Sequence, residues 1–256
     1  MLDAQRPLSL PERPAKPRAS GITMVIDNGV PTRYFEDAIA STGDLIDVVK
    51  FGWGTSLVTR DLERKVACLR DAGVDHYFGG TLFEKFVAQN RVDDYIRYCH
   101  QHQCRSVEIS NGTIDLSNDE KAQYISLFKT EFKVVSEVGY KDSARSLELP
   151  PVRWIQYIRQ DLQAGADLVI TEARESGRSG ICRADGEPRY GLIEEILESG
   201  LQLDRLVFEA PNKDLQTYFI RRVGPNVNLG NIAIDDLIGL ETLRVGLRSD
   251  TLLNWD

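Results

Sequence analysis

Residues 134–138 read VVSEV, residues 152–164 read VRWIQYIRQDLQA, and residues 168–171 read LVIT. The two short runs are rich in β-branched residues and predict buried strands, whereas the apolar residues of the longer segment recur at the spacing of one helix face. A strand, a helix and a second strand in this order predict two parallel strands joined by a crossover helix. The fold class then depends on whether this unit recurs.

The same alternation extends over most of the 256-residue chain. Eight such units, in a chain close to the usual length of about 250 residues, favour an α/β TIM (β/α)8 barrel over an open doubly wound sheet. An open sheet would favour a Gly-rich phosphate fingerprint after the first strand, but the sequence there reads Asp27-Asn28-Gly29. The predicted strands are 23–26, 47–51, 74–78, 106–109, 134–138, 168–171, 205–208 and 226–229, and the helical stretches include 83–99, 215–223 and 234–247.

Composition limits the classes of partner. The formal net charge is −8, which disfavours a nucleic-acid partner because such binding depends on clustered Lys and Arg. Residues 1–20 contain four prolines and four basic residues without an apolar run, so we expect an extended N-terminal arm and not a signal peptide. Residues 21–256 should form a single barrel domain. With no membrane-spanning run, the expected location is the cytoplasm.

The cysteine and histidine pattern argues against two other kinds of site. Four scattered cysteines do not form a disulfide framework in a chain of this length. The run Cys99-His100-Gln101-His102-Gln103-Cys104 resembles a zinc site, but it is better interpreted as a helix end, because its side chains would point in different directions. No histidine falls at a predicted strand end, so a nucleophile activated by histidine is disfavoured.

Acidic residues recur at the ends of the predicted strands, where a barrel of this type builds its active site. One carboxylate there could cap a helix or pair with a basic residue, but five in one ring would repel each other unless protons, basic groups or a cation compensated them. Carboxylate oxygens suit Mg²⁺, with Mn²⁺ as the alternative. The candidate metal ligands are Asp27, Glu108, Glu137, Glu172 and Glu209.

Basic and small residues near the same ends predict an anionic substrate. Lys50, Lys141 and Arg174 are the candidate catalytic residues, although Lys50 could instead serve as a salt bridge within the carboxylate ring. Two Gly-containing loops, at 175–180 and 224–231, could hold a phosphate with backbone N–H groups. The candidate phosphate-binding residues are Arg174, Arg178, Ser179, Gly180, Asn228 and Asn231.

Several sequence blocks around these positions resemble the phosphosulfolactate synthase family. They occur in the same order as in the family and span about 16–251, which makes the set far more specific than any one block. The blocks are 50–56 (KFGWGTS), 79–84 (GGTLFE), 108–110 (EIS), 137–139 (EVG), 172–177 (EARESG), 209–211 (EAP), 226–231 (NVNLGN) and 240–244 (LETLR).

The resemblance implies a TIM barrel and a Mg²⁺-dependent addition of sulfite to phosphoenolpyruvate, giving (R)-2-phospho-3-sulfolactate. It implies metal ligands among the four glutamates, a lysine proton donor, with Lys141 favoured over Lys50, and a phosphate site at Arg174 and the strand-eight loop. The alternatives are a related phosphoenolpyruvate-using enzyme with another nucleophile and a non-catalytic, stress-associated family member. The sequence leaves a homo-oligomer open.

Three positions depart from the form of the family found in the coenzyme M pathway. Asn28, Asn111 and Tyr140 stand where that form has a lysine, an aspartate and a lysine. The chain more closely resembles a branch seen in sporulating bacteria. The three substitutions remove two ammonium groups and one carboxylate near the predicted site. They therefore put in question which two substrates the enzyme uses.

Overall fold

A computed structural model describes residues 8–255. Its eight strands are all parallel and pair in the order β3-β2-β1-β8-β7-β6-β5-β4, so the sheet curls until its edge strands β3 and β4 face each other. This arrangement confirms the TIM-barrel prediction. The strands are β1 Thr23–Asp27, β2 Val48–Phe51, β3 Asp75–Phe78, β4 Ser106–Ile109, β5 Lys133–Val138, β6 Leu168–Thr171, β7 Leu206–Glu209 and β8 Leu229–Ala233.

Side chains bridge the seam between β3 and β4, where no strand ladder forms. At the amino ends of these strands, Ser106 Oγ donates to Asp75 Oδ2 at 2.8 Å. At the carboxyl ends, the backbone N–H of Gly80 donates to Glu108 Oε1 at 2.5 Å. A β-carbon at position 80 would lie 2.8 Å from that oxygen, so glycine is needed for this approach.

Helices surround the barrel, and local sequence signals define several of their ends. Ser117 and Glu120 form a reciprocal capping box at the start of α6. Pro151 occupies the first turn of α8, and Gly165 ends that helix in the left-handed conformation. The helices are α1 Thr32–Thr42, α2 Thr55–Val58, α3 Leu62–Asp71, α4 Gly80–Ala88, α5 Val92–Gln101, α6 Asn118–Phe128, α7 Ser143–Glu148, α8 Pro151–Ala164, α9 Tyr190–Glu198, α10 Lys213–Val223 and α11 Leu237–Arg244.

Two element boundaries differ from the sequence-based prediction. The predicted helix over 83–99 is two helices, because Asn90 between them takes a φ of 56°, which ends α4. The eighth strand was predicted at 226–229 and lies at Leu229–Ala233. The error arose because residues 226–228 precede the strand, and the prediction had included them in it.

The barrel interior changes from apolar to charged along the strands. Side chains alternate between the interior and the surrounding helices, as in any strand. The amino-terminal half of the interior is a buried apolar cluster, and the larger core lies between the strands and the helices. The interior cluster consists of Ile22, Met24, Val48, Tyr77, Val135, Ile170 and Val207.

The described part of the N-terminal segment runs across the amino-terminal side of the barrel without helix or strand. Arg13 Nε pairs with Glu241 Oε1 at 3.0 Å, and Arg18 pairs with Asp47 at 3.1 Å. These pairs join the segment to α11 and to the turn before β2. The predicted arm at 1–20 lies partly outside the described residues and stays a prediction in its extent.

A fully buried ion pair supports β5 from outside the barrel. Lys121 Nζ on α6 lies 2.7 Å from Asp161 Oδ2 on α8, and both side chains are 0% exposed. The same ammonium group donates to the backbone carbonyl of Glu137 at 2.9 Å. The pair therefore fixes two helices and the strand position that bears Glu137.

Replacing Asp161 with Ala should lower the free energy of unfolding by about 3–5 kcal/mol, because it leaves the ammonium group of Lys121 buried without a counter-charge. Urea denaturation measures the change. Glu36→Ala, which breaks the exposed pair with Arg64, is the control and should alter stability little. Equal losses in the two variants would contradict this account of the buried pair.

Candidate active site

A cavity of about 490 Å³ opens at the carboxyl ends of the strands. Another cavity, of about 560 Å³, lies at the opposite end, but its floor belongs to the apolar interior cluster. The charged groups of the barrel interior meet only in the first cavity within the described chain. Its walls include Lys50, Thr81, Glu108, Thr113, Glu137, Lys141, Glu172, Arg174, Glu209 and Asn231.

The strand alternation explains which acidic residues enter the cavity. Glu137 follows Val135 on β5 by two positions, and Glu209 follows Val207 on β7 in the same way, so each shares the inward face of its apolar predecessor. Lys50, two residues after Val48, has the same parity. The inward positions thus change from apolar to charged toward the carboxyl ends.

Asp27 does not lie in this cavity, which corrects its predicted placement among the metal ligands. It follows inward-facing Met24 by three positions and therefore points outward from β1. There Asp27 Oδ2 lies 2.5 Å from Lys65 Nζ on α3, with both side chains 1% exposed. Its other oxygen accepts the backbone N–H groups of Gly29 and Val30. Asp27 therefore holds the first loop to α3.

Three of the predicted ligands converge closely. Glu137, Glu172 and Glu209 each offer one oxygen, and these oxygens all lie within 4.8 Å of one another. No other group of three or more potential metal ligands lies within this range in the part of the chain that the structure describes. Carboxylates held this closely in a buried site require a compensating charge.

Lys50 supplies part of that charge from the floor of the cavity. Its Nζ lies 3.1 Å from Glu209 Oε1 and 3.5 Å from Glu108 Oε2, and its side chain is only 8% exposed. Burial opposes the charged form of Lys50, but Glu108 and Glu209 outweigh it and raise its pKa well above the ordinary value. Lys50 is therefore a permanent cation within the acidic ring, which is the salt-bridge interpretation left open by the sequence.

The remaining carboxylates differ strongly in their protonation. Burial opposes the charge on Glu137, but Lys141 and Lys50 outweigh it and lower its pKa to about 2. Burial and the neighbouring charges of Glu137 and Glu209 raise the pKa of Glu172 well above the usual range. Glu172 is therefore the carboxylate of the ring that most favours a proton, whereas Glu137 favours the charged form.

Backbone N–H groups hold two of these glutamates in place. Arg174 has a φ of 61°, in the left-handed region, which turns the loop after β6 over the cavity. Its N–H donates to Glu172 Oε1 at 2.6 Å and to Glu209 Oε2 at 2.9 Å. Ala173 also donates to Glu209 Oε2 at 2.7 Å. The guanidinium group of Arg174 remains at the exposed rim, where it can meet an anion.

Lys141 projects into the cavity from the loop after β5. Its Nζ donates to Thr81 Oγ1 at 3.1 Å and lies 3.3 Å from Glu137 Oε1 and 4.0 Å from Glu172 Oε2. Its side chain is 21% exposed, more than twice the value for Lys50. Burial opposes its charge, but the nearby carboxylates raise its pKa above the usual range. Lys141 is the more accessible ammonium group of the two.

The predicted phosphate-binding loop after β6 has other partners. Arg178 is exposed and does not line the cavity. Ser179 Oγ donates to Tyr140 O at 2.8 Å, and Gly180 packs so closely on the backbone of Glu172 that it has no room for a side chain. None of these three residues lines the cavity, which corrects their predicted placement.

The two asparagines predicted near strand eight lie at opposite ends of the barrel. Asn228 lies before β8, where its Oδ1 accepts the N–H of Ile22 and its Nδ2 donates to the backbone oxygens of Asp204 and Leu206. It links strands at the amino-terminal side, which corrects its predicted placement among the phosphate-binding residues. Asn231 lies inside β8 and lines the cavity, with its buried Oδ1 lacking a hydrogen-bond partner among the described residues.

The three positions that depart from the coenzyme M form of the family do not line the cavity. Asn28 is exposed. Asn111 Nδ2 donates to Leu116 O at 2.9 Å within its own loop, and the ring of Tyr140 lies 4.3 Å from the Arg145 guanidinium carbon. None of the three side chains therefore forms part of the cavity wall in this chain.

Comparison with known proteins identifies the family. The family model for (2R)-phospho-3-sulfolactate synthase (ComA) matches residues 11–250. This chain belongs to that family. It is 53% identical over 244 residues to phosphosulfolactate synthase of Bacillus subtilis (strain 168), covering 95% of this chain and 97% of the relative. The family prediction is thereby confirmed, and the chain is an enzyme of this family.

More distant comparisons agree. The chain is 42% identical over 246 residues to phosphosulfolactate synthase of Methanothermobacter thermautotrophicus, covering 94% of this chain and 95% of that relative. Among solved structures, a 3-hexulose-6-phosphate synthase superposes with a TM-score of 0.56 at 10% identity, covering 87% of this chain and 98% of the other. This last likeness shows the fold alone.

Sequence reasoning missed several residues at the family site. Thr81 lines the cavity from the first turn of α4, and Thr113 and Trp53 line it from loops. Glu84 lies behind it, within 3.7 Å of Lys141 Nζ. Glu84 is inside a helix, so a search restricted to strand ends could not find it. The available signal was its spacing, because Thr81 and Glu84 are three residues apart and share one helix face.

Replacing Lys50 with Met should lower the free energy of unfolding in metal-free buffer by about 3–5 kcal/mol, because Glu108 and Glu209 lose their buried counter-charge. Urea denaturation measures this. Lys85→Met, on the exposed face of α4, is the matched control and should be nearly neutral. If both variants unfold at the same urea concentration, Lys50 does not balance the ring.

Proposed function

We propose that this protein catalyses the Mg²⁺-dependent addition of sulfite to C3 of phosphoenolpyruvate, giving (R)-2-phospho-3-sulfolactate, with Mn²⁺ as an alternative metal. The observation that carries the proposal is the meeting of Glu137, Glu172 and Glu209 with Lys141 in one cavity. Membership of the phosphosulfolactate synthase family supports the same reaction.

The donor set fits a hard divalent cation. Glu137 Oε1 and Glu172 Oε2 are buried and accept no hydrogen bond from the described residues, with Lys141 Nζ at 3.3 Å and 4.0 Å. Glu209 and the amide oxygen of Asn231 add further oxygen donors. Mg²⁺ binds such oxygens together with substrate oxygens and water. We assign Glu137, Glu172 and Glu209 as the proposed ligands, because their oxygens lie within 4.8 Å of one another and Glu108 is outside this group.

The proposed chemistry is a conjugate addition. The sulfur lone pair of sulfite forms the new bond to C3, the C2–C3 double bond opens toward the substrate carboxylate, and C2 then takes a proton, with no leaving group. A bound divalent cation supplies positive charge near that carboxylate, where negative charge gathers. The phosphate remains on the product throughout.

The protein side chains divide the remaining tasks. Lys141 is the proposed proton donor, because it is the ammonium group that faces the cavity and its raised pKa keeps it protonated. Lys50 is held between Glu209 and Glu108 and maintains the charge of the site. Arg174 at the rim is placed to bind the phosphate, since its guanidinium group can donate two hydrogen bonds to a phosphate.

Purified protein incubated with phosphoenolpyruvate, sulfite and Mg²⁺ should yield phosphosulfolactate by mass spectrometry. Lys141→Ala should lower the rate by about 10²–10⁴, because it removes the proton donor. Lys85→Ala is the control and should retain full turnover. Absence of product across several metals and pH values would defeat the proposal, and product formed only with another nucleophile would favour the related-enzyme alternative.

Glu172→Gln should weaken Mg²⁺ binding by at least about tenfold, because it removes a charged oxygen from the ring. Isothermal titration calorimetry without substrates measures this directly. Glu187→Gln is the control, since its side chain is 59% exposed and outside the cavity. Unchanged Mg²⁺ affinity in Glu172→Gln would place the metal elsewhere.

A further inference from the structure

The side chain of Glu84 binds the loop that follows β4 and holds it against helix α4. Its side chain is buried, and Oε1 accepts hydrogen bonds from Ser110 Oγ and from the N–H of Gly112 at 3.1 Å. Oε2 accepts the N–H groups of Thr113 at 2.8 Å and Ile114 at 3.0 Å. Four donors from one short segment therefore converge on a single carboxylate, although no regular secondary structure holds that segment.

The same helix contacts the ammonium group of Lys141 directly and reaches its backbone through the loop after β4. Glu84 Oε1 lies 3.7 Å from Lys141 Nζ, and Thr81, one turn earlier on α4, accepts a hydrogen bond from it at 3.1 Å. The backbone N–H of Lys141 donates to Gly112 O at 3.2 Å. Gly112 is itself held by Glu84, so this residue acts on Lys141 directly and through the loop.

Glu84 differs from the proposed metal ligands in how its oxygens are used. Both of its oxygens already accept two hydrogen bonds each, which satisfies the lone pairs of the carboxylate. Glu137 and Glu172 each retain a buried oxygen without a partner among the described residues. The contacts of Glu84 thus fit a structural task beside the site and leave no oxygen for a cation.

We infer that Glu84 is a positioning residue that aims the Lys141 ammonium group into the cavity and orders the loop bearing Thr113. This inference rests on the proposed function, in which Lys141 delivers a proton to C2. Misplacement of a reacting group by about 1 Å can cost on the order of 10²-fold in rate. Removal of Glu84 should therefore lower turnover without removing any group that touches the substrate.

Glu84→Gln is the primary variant, because it preserves the size of the side chain but turns one acceptor into a donor facing N–H groups. We expect kcat to fall by roughly 10- to 100-fold, with KM for phosphoenolpyruvate changing less than about threefold. Glu241→Gln is the matched control, since Glu241 is also shielded but pairs with Arg13 away from the site. A kcat for Glu84→Gln equal to that of the control would overturn the inference.

A double-mutant cycle with Lys141→Ala tests whether Glu84 acts through Lys141. In the Lys141→Ala background, Glu84→Gln should lower the residual kcat by less than about threefold, because the group that it positions is already absent. A general folding defect would instead multiply the two losses. Multiplied losses would therefore overturn the assignment.

A readout independent of activity separates this inference from the proposed reaction. In substrate-free protein, Glu84→Gln should accelerate hydrogen exchange by at least about tenfold either at the amide of Gly112 or at those of Thr113 and Ile114, since the position taken by the new NH2 group loses its acceptor. Unchanged exchange would overturn the role in the loop. If the wild type makes no phosphosulfolactate, the reaction fails as a proposal, and the exchange result still decides whether Glu84 orders the loop.

Two further variants serve if Glu84→Gln does not fold. Thr81→Val removes the acceptor of the Lys141 ammonium group but leaves the loop bonds, so it should lower kcat while exchange at Thr113 stays unchanged. Ser110→Ala removes one loop donor and should accelerate exchange with a smaller loss of kcat. The reverse pattern would overturn the inference.

Discussion

Charge balance inside the barrel mouth is the constraint on which the site depends. Four inward carboxylates, those of Glu108, Glu137, Glu172 and Glu209, are buried in one ring, whereas only two ammonium groups enter it. In a medium of low dielectric constant such groups repel strongly unless they are neutralised. A proton or a cation can compensate the excess negative charge, and the proposed Mg²⁺ would do so, while the fixed cation Lys50 keeps the ring compatible with folding.

The outward face of the strands carries a second set of buried charges that supports this ring. Asp27 pairs with Lys65 between β1 and α3, and Lys121 pairs with Asp161 between α6 and α8 while also bonding the Glu137 carbonyl. These pairs lie outside the cavity but fix the backbone from which the inward groups project. Rigid support of this kind keeps reactive groups in their required positions.

The two lysines of the cavity illustrate how similar residues acquire different tasks. Lys50 emerges from the middle of β2, and two carboxylates within 3.5 Å hold it. Lys141 emerges from a loop, retains more exposure and is steadied by contacts from α4. A strand position suits the constant counter-charge, whereas a loop position leaves an ammonium group free to approach a substrate.

The sequence by itself determined the barrel and most of the carboxylate ring, because β-branched strand runs, helical spacing and strand-end charges are local patterns. It also determined the family, since ordered blocks extend along nearly the whole chain. Tertiary structure alone decided that Asp27 turns outward to Lys65 and that Asn228 binds backbone at the opposite end. The outward direction of its side chain accounts for the difference at Asp27. The later start of β8 accounts for the difference at Asn228.

Only the folded chain could reveal the role of Glu84, because its partners come from a loop and from Lys141, which is 57 positions further along the chain. Strand ends can be read from sequence because a barrel gathers them at one edge. A carboxylate on a helix that organises a neighbouring loop does not lie at a strand end, so its position is not marked in this way. Its role depends on the packing of α4 against the loop after β4, which no local pattern encodes.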